Sequence, residues 1–311
     1  MSTNKRVVII GGVAGGMSAA TRLRRLDENA EITVFEQSGY VSYANCGLPY
    51  YAGGSIEFRD SLILQTPEGL GERFKLDVRV SHEVTEIDPT AKVIKVKNLS
   101  SGDITQLPYD KLILSPGATT IKPEIPGIEM ALPLRTVEDV DRLVSALEQH
   151  PKHATVIGGG FIGLEAVENL RARGIAVTLL EAAPQVLTPL DVEMVPAVLS
   201  ALTINEVDVR LSTTATEIRN GSVLLSNGEE LATDLVLLSI GVRPNIALAQ
   251  AAGLEIGPRG GIAVDSNQLT SNPDIYAVGD AVEKIDAVTG DAALVPLANL
   301  ANRHGRVVAD H

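Results

Sequence analysis

Four apolar residues in a row, Val7-Val8-Ile9-Ile10, run directly into the glycine-rich Gly11-Gly12-Val13-Ala14-Gly15-Gly16. A short apolar run closed by glycines predicts a strand ending in a tight turn. A helical stretch follows, then a second strand, Ile32-Thr33-Val34-Phe35, which ends at Glu36. Further along, the succession repeats. Ala154 to Ile157 lead into Gly158-Gly159-Gly160-Phe161-Ile162-Gly163, another helix, and the strand Ala176 to Leu180 ending at Glu181. Each copy is then followed by β-rich sequence. After the first come Val78 to Val84, Val93 to Val96 and Leu112 to Leu114, closing in Ser115-Pro116-Gly117-Ala118. After the second, Asn220-Gly221 and Asn227-Gly228 flank Val223 to Leu225, a hairpin signal, and the half closes in Ser239-Ile240-Gly241.

Strand, glycine turn, helix, strand and acid make the βαβ unit that binds dinucleotides. Gly11 and Gly158 make the tight turn, and Gly16 and Gly163 let the helix pack on the strand. Backbone N–H groups at the helix start can hold a pyrophosphate, with the helix dipole behind them. Glu36 and Glu181 stand about 20 residues beyond the last glycine of their turns, where an acid accepts ribose hydroxyls. Gly160 fills the middle position of the second turn. In the first, Val13 takes that place and holds the backbone slightly away from a pyrophosphate. The chain returns with Asp274-Ile275-Tyr276-Ala277-Val278-Gly279-Asp280, which puts an acid at a strand's carboxyl end. The fold class expected is α/β: two Rossmann-like dinucleotide-binding domains, each with a central parallel sheet and a β-meander.

The length of 311 residues suits two domains, and 45% hydrophobic with 21% charged residues is ordinary globular composition. A net charge of −13 argues against nucleic acid as a partner. The start is too short in apolar residues for a secretory leader, and no later stretch is apolar enough to span a bilayer, so a cytoplasmic protein is expected. Cys46 is the single cysteine, which excludes an internal disulfide.

Four signatures in order, covering nearly the whole chain, resemble the pyridine nucleotide-disulfide oxidoreductases. They are the first glycine turn, Cys46 within Ser42-Tyr43-Ala44-Asn45-Cys46-Gly47-Leu48-Pro49-Tyr50, the second glycine turn, and Tyr276 to Ala281. The resemblance implies that residues 1–119 with 246–311 bind FAD and that 120–245 bind NAD(P)H. Gly11, Val13, Gly16, Glu36, Val84, Ser115, Gly117, Arg135, Asp280 and Ala298 would then serve FAD. Gly158, Gly160, Gly163, Glu165, Glu181 and Gly241 would serve the nicotinamide dinucleotide. Glu181 would repel a 2′-phosphate, and residues 182–187 hold no arginine to neutralise one, so NADH is expected over NADPH.

One cysteine in Ser-Tyr-Ala-Asn-Cys-Gly-Leu-Pro is similar to the coenzyme A-disulfide reductase branch and its persulfide and polysulfide reductase relatives. Members with two cysteines place the other five positions earlier, where this chain has Val41. NADH peroxidases and oxidases typically carry a histidine at the position of Ala14. The expected activity is therefore NAD(P)H-dependent reduction of CoA-disulfide, persulfide or polysulfide through Cys46, the second sulfur coming from the substrate. An NADH oxidase, a reductase of a protein electron carrier and a bare FAD-binding module are the other readings. Ser18, Arg22 and Arg25 recur at i, i+4, i+7 and share a helix face, and arginine forks fit phosphate. The resemblance implies coenzyme A contacts at Ser18, Arg22, Arg25, Ser42, Asn45 and Asn302. It also implies a third, C-terminal domain that forms a homodimer and lies beyond His311. His304 is expected at the surface, without a role.

Overall fold

The computed structural model describes residues 4–311 and divides the chain into two compact units. The first comprises Met1–Tyr43, Ile63–Thr119 and Arg243–His311; the second, Ala44–Leu62 and Thr120–Val242. The segment Ala44–Leu62, read from the sequence within the first domain, clusters with the second unit instead.

In the first unit a five-stranded parallel sheet runs Ile275–Ala277, Lys111–Leu114, Arg6–Ile10, Glu31–Phe35, Asp77–Arg79. Side chains alternate across a strand, and both faces of Arg6–Ile10 are covered. Val7 and Ile9 pack with Met17, Ala19 and Ala20 of the Ala14–Leu26 helix and Val308 of the Ala298–Asp310 helix. Val8 and Ile10 pack with Val84, Ile87, Ile94 and Val96 of an antiparallel meander. That double burial is why four consecutive residues had to be apolar.

The sequence reads Val78 to Val84 as continuous β-structure, but the chain breaks there. Asp77–Arg79 joins the parallel sheet and His82–Asp88 opens the meander; Ser81 turns the corner at φ 55°. One segment cannot serve two sheets without such a bend.

The second unit repeats the plan. Its parallel sheet runs Leu132–Pro133, Leu235–Leu238, His153–Ile157, Ala176–Leu180, Asp208–Arg210, with a meander of Ala215–Arg219, Ser222–Leu225 and Glu230–Ala232. Ile157, Leu180, Val236 and Leu238 meet Ile218, Val223 and Leu225 of the meander. The strand beyond Leu235–Leu238 comes from earlier in the chain, whereas the matching strand of the first unit, Ile275–Ala277, comes from later. Each sheet therefore ends its central strands in one glycine turn, on the edge where ligands of α/β folds bind.

Candidate functional site

The two glycine turns are built alike at their first and last glycines. Gly11 and Gly158 have φ of 99° and 108°, where a side chain is strained, and a Cβ on either would strike the carbonyl of Ser115 or Ser239. Those serines donate their backbone N–H to Ile10 and Ile157 at 2.7 and 2.8 Å, tying the returning strand to the turn. A Cβ on Gly16 or Gly163 would lie 1.9 Å from the oxygen of Gly11 or Gly158, so the helix can press on the turn only as glycine. Gly117 and Gly241, closing each half, also take positive φ, 67° and 106°.

The acids serve the turns as well. Glu36 accepts the N–H of Gly12 at 2.8 Å on one oxygen and that of Ser38 at 2.9 Å on the other. Glu181 does the same with Gly159 and Ala183, both at 2.7 Å. Each carboxylate is thereby fixed at the turn, where a carboxylate can accept a ribose hydroxyl.

Gly160 differs from its neighbours. It precedes the Phe161–Ala172 helix with φ −81°, which any residue adopts, and a Cβ there would meet nothing within 4 Å. Nothing in the protein requires glycine at this point, so the space fits a group from outside, as a pyrophosphate approaching the backbone would need. The residues present fit a dinucleotide at both turns, with Val13 as N-cap of the first helix in place of Gly160's equivalent. Asp280 lies half-buried in the Gly279–Ala281 turn after Ile275–Ala277; Ala298 opens the last helix and is exposed. Val84 is buried in the meander core.

Cys46 is exposed and sits in the short 3-10 turn Asn45–Gly47, which continues into the Leu48–Gly53 helix. Asn45 donates its side-chain amide to the carbonyl of Arg135 at 3.4 Å, just before the capped Val137–Leu147 helix. The Leu48–Gly53 helix lies on Phe161–Ala172; a Cβ on Gly53 would strike the Asn169 side chain at 2.0 Å. This contact puts Tyr50, one turn beyond Cys46, beside Glu165. The Glu165 carboxylate pushes the Tyr50 phenol above its ordinary range, with burial, Glu168 and Cys46 adding to the effect. Burial, with Glu168, pushes Glu165 itself upward. Neither Tyr50 nor Asn169 was singled out by the sequence; the close glycine at 53 was the available signal.

The proposed thiol face is partly spoken for. Ser18 donates its hydroxyl to the Asn302 oxygen at 2.9 Å, and Arg22 pairs with Asp310 at 2.7 Å. Arg25 lies over the Phe74 ring, 5.9 Å from its centre. Ser42 holds φ 48° and donates its N–H to Gly12 at 2.9 Å.

His304 overturns its expectation: it is 4% exposed. Its Nδ1 accepts the N–H of Gly279 at 3.3 Å, and its Nε2 has no partner among the described residues. Burial, with Lys284 and Arg303 nearby, pulls its pKa down to about 4. The residue falls on the inner face of the last helix, facing the Gly-Asp turn.

Residues 5–302 match the family model for pyridine nucleotide-disulphide oxidoreductase. The coenzyme A disulfide reductase of Staphylococcus haemolyticus (strain JCSC1435) is 32% identical over 307 residues, 98% of this chain and 70% of that protein. The NADH oxidase of Methanocaldococcus jannaschii is 36% identical over 310 residues, 97% of this chain and 68% of that one. Among solved structures, reduced Bacillus anthracis CoADR-RHD matches with a TM-score of 0.97 at 47% identity, covering 99% of this chain and 56% of the other. A NAD-dependent persulfide reductase from A. fulgidus matches at 0.94 and 38%, covering 98% and 58%. The chain spans little more than half the length of these two structures. By its paired glycine turns, its cysteine segment and the family match over residues 5–302, the chain belongs to the pyridine nucleotide-disulphide oxidoreductase family.

Proposed function

We propose that this chain carries the dinucleotide-binding units and the redox cysteine of an NAD(P)H-dependent flavoprotein that reduces the disulfide or persulfide of a small thiol, coenzyme A above all. The observation that carries the reading is Cys46. It is the only cysteine and is exposed in a fixed 3-10 turn, one helical turn from Tyr50 and four residues along the chain from the Ser42 that bonds the first glycine turn. The relatives named coenzyme A disulfide reductase and persulfide reductase support the substrate class.

In this reading Gly11, Val13, Gly16, Glu36, Val84, Ser115, Gly117, Asp280 and Ala298 of the first unit hold FAD, and Arg135 is assigned to FAD as well. The second holds NADH at Gly158, Gly160 and Gly163, with Glu181 on the ribose and Glu165 and Gly241 near the nicotinamide. FAD, when bound, supplies a two-electron carrier between the nicotinamide and a sulfur. Cys46 does the rest. Its thiolate attacks one sulfur of the substrate disulfide, forms a Cys46–thiol disulfide and releases the other thiolate. Two electrons from NADH then break the new S–S bond, leave a thiolate on Cys46 and free the second thiol, which takes a proton from water. Ser18, Arg22, Arg25, Ser42, Asn45 and Asn302 would hold the departing coenzyme A. We place the protein in the cytoplasm as a homodimer.

Intact-mass measurement of the purified protein tests this. An adduct of coenzyme A mass on Cys46, released by NADH, is expected; a bare cysteine that never acquires the adduct from CoA-disulfide overturns the reading. The archaeal relative named NADH oxidase makes oxygen the alternative acceptor. NADH consumption that requires oxygen and ignores disulfide would establish that second reading.

A further inference from the structure

The Ala14–Leu26 and Ala298–Asp310 helices approach very closely. A Cβ on Gly305 would lie 2.3 Å from the Gly15 oxygen and 2.8 Å from the Ala19 nitrogen. That contact brings two polar side chains of the last helix over two of the first. Asn302 takes the Ser18 hydroxyl at 2.9 Å, and Asp310 takes Arg22, Nε to Oδ1, at 2.7 Å. Both partners on the first helix belong to the face proposed for the thiol.

The two arginines of that face are thus unequal. Arg25 has no carboxylate within ion-pair distance among the described residues and rests on Phe74. Arg22 has its charge offset by Asp310, in a pair that stays exposed, 37% and 51% for the two side chains. Because the pair is exposed, it can be displaced: such pairs are worth about 0.2–1 kcal/mol. A phosphate displaces a carboxylate from a guanidinium when it brings more charge and a better-matched fork. A ligand with one negative group is satisfied at Arg25 and gains little by unseating Asp310. A ligand with several phosphates spans both positions.

We propose that Asp310 is a specificity-determining residue. By pairing with Arg22 it masks one of the two guanidinium groups, so it weakens the hold on thiols bearing several phosphates and leaves the binding of those without them untouched. This rests on the coenzyme A reading of the proposed function.

The test compares KM for CoA-disulfide with KM for pantetheine disulfide, which has the same thiol stem and no nucleotide phosphates. Asp310→Asn removes the charge and keeps the shape. It is expected to lower KM for CoA-disulfide about threefold, the value of one exposed pair, with kcat and the pantetheine KM unchanged. In an Arg22→Ala background the same change should have no effect. Calorimetric titration with adenosine 3′,5′-bisphosphate gives a readout independent of turnover, and Asp310→Asn should tighten it by the same factor. The proposal is overturned if Asp310→Asn leaves KM and Kd unchanged, or if it lowers KM for both disulfides alike. Failure of the underlying function shows itself separately, as wild-type protein that consumes no NADH with either disulfide; the titration still decides the role of Asp310.

Discussion

Gly160 and Gly163 are three residues apart in one turn, and the structure gives them opposite reasons for being glycine. A methyl on Gly160 meets no protein atom within 4 Å, and its φ of −81° is open to alanine. The folded protein should therefore accept Gly160→Ala at a cost of about 0.5–1 kcal/mol, the N-cap preference for glycine over alanine. The space that the methyl fills is the space a pyrophosphate needs to reach the backbone N–H groups. Losing one or two charge-assisted hydrogen bonds, at about 1.5–3 kcal/mol each, weakens NADH binding by roughly 10- to 100-fold or more. Gly163→Ala is the reverse case. Its Cβ would lie 1.9 Å from the Gly158 oxygen and 2.8 Å from the Ser239 hydroxyl, so helix and turn must part, at about 1–3 kcal/mol. Thermal unfolding and NADH KM, measured on both variants, check the pair. Gly160→Ala should nearly hold the wild-type Tm and lose NADH affinity, while Gly163→Ala should lose several degrees. The reasoning is refuted if Gly160→Ala binds NADH as wild type does, or if it melts as low as Gly163→Ala.

Two further substitutions follow from the polar groups. His304 is held neutral in the folded chain, with its pKa near 4 against an ordinary 6.5. Because the folded value is depressed, the unfolded chain binds the proton first, and stability drains as pH falls from about 6.5 towards 4. At about 1.4 kcal/mol per unit, the loss is on the order of 2–3 kcal/mol. His304→Gln, compared with wild type by urea unfolding between pH 7 and 4, should show a flatter pH dependence; equal slopes would contradict the neutral buried imidazole. Glu181→Ala removes the acceptor of two turn N–H groups, at a cost of about 1–3 kcal/mol. It should also narrow the preference for NADH over NADPH at least tenfold in kcat/KM, and an unchanged preference would remove Glu181 from the ribose site.

Much of this architecture could be read from residue types, because a βαβ turn constrains chemistry at fixed places. Gly11 and Gly158 need positive φ, Gly16 and Gly163 need the absence of a Cβ, and Glu36 and Glu181 need reach. What escaped were features set by partners distant in the chain. Ser81 breaks a run of apolar β-residues because two sheets compete for it. Ala44–Leu62 clusters with the second unit because Pro49, Ala52 and Gly53 fit the Phe161–Ala172 helix, which no local pattern shows. His304 looked like one more polar residue at a chain end, yet the helix register turns it inward onto Gly279. Asp310 took Arg22 from a face that the i, i+4, i+7 spacing alone presented as open.

The central claim is that reducing power from a nicotinamide reaches substrate through one sulfur atom. Anaerobic rapid mixing tests it most directly: protein first bleached by NADH is mixed with CoA-disulfide, for wild type and Cys46→Ser side by side. The account predicts that both variants bleach with NADH and that only wild type recovers its yellow colour on meeting the disulfide. Recovery in Cys46→Ser at the wild-type rate would contradict it.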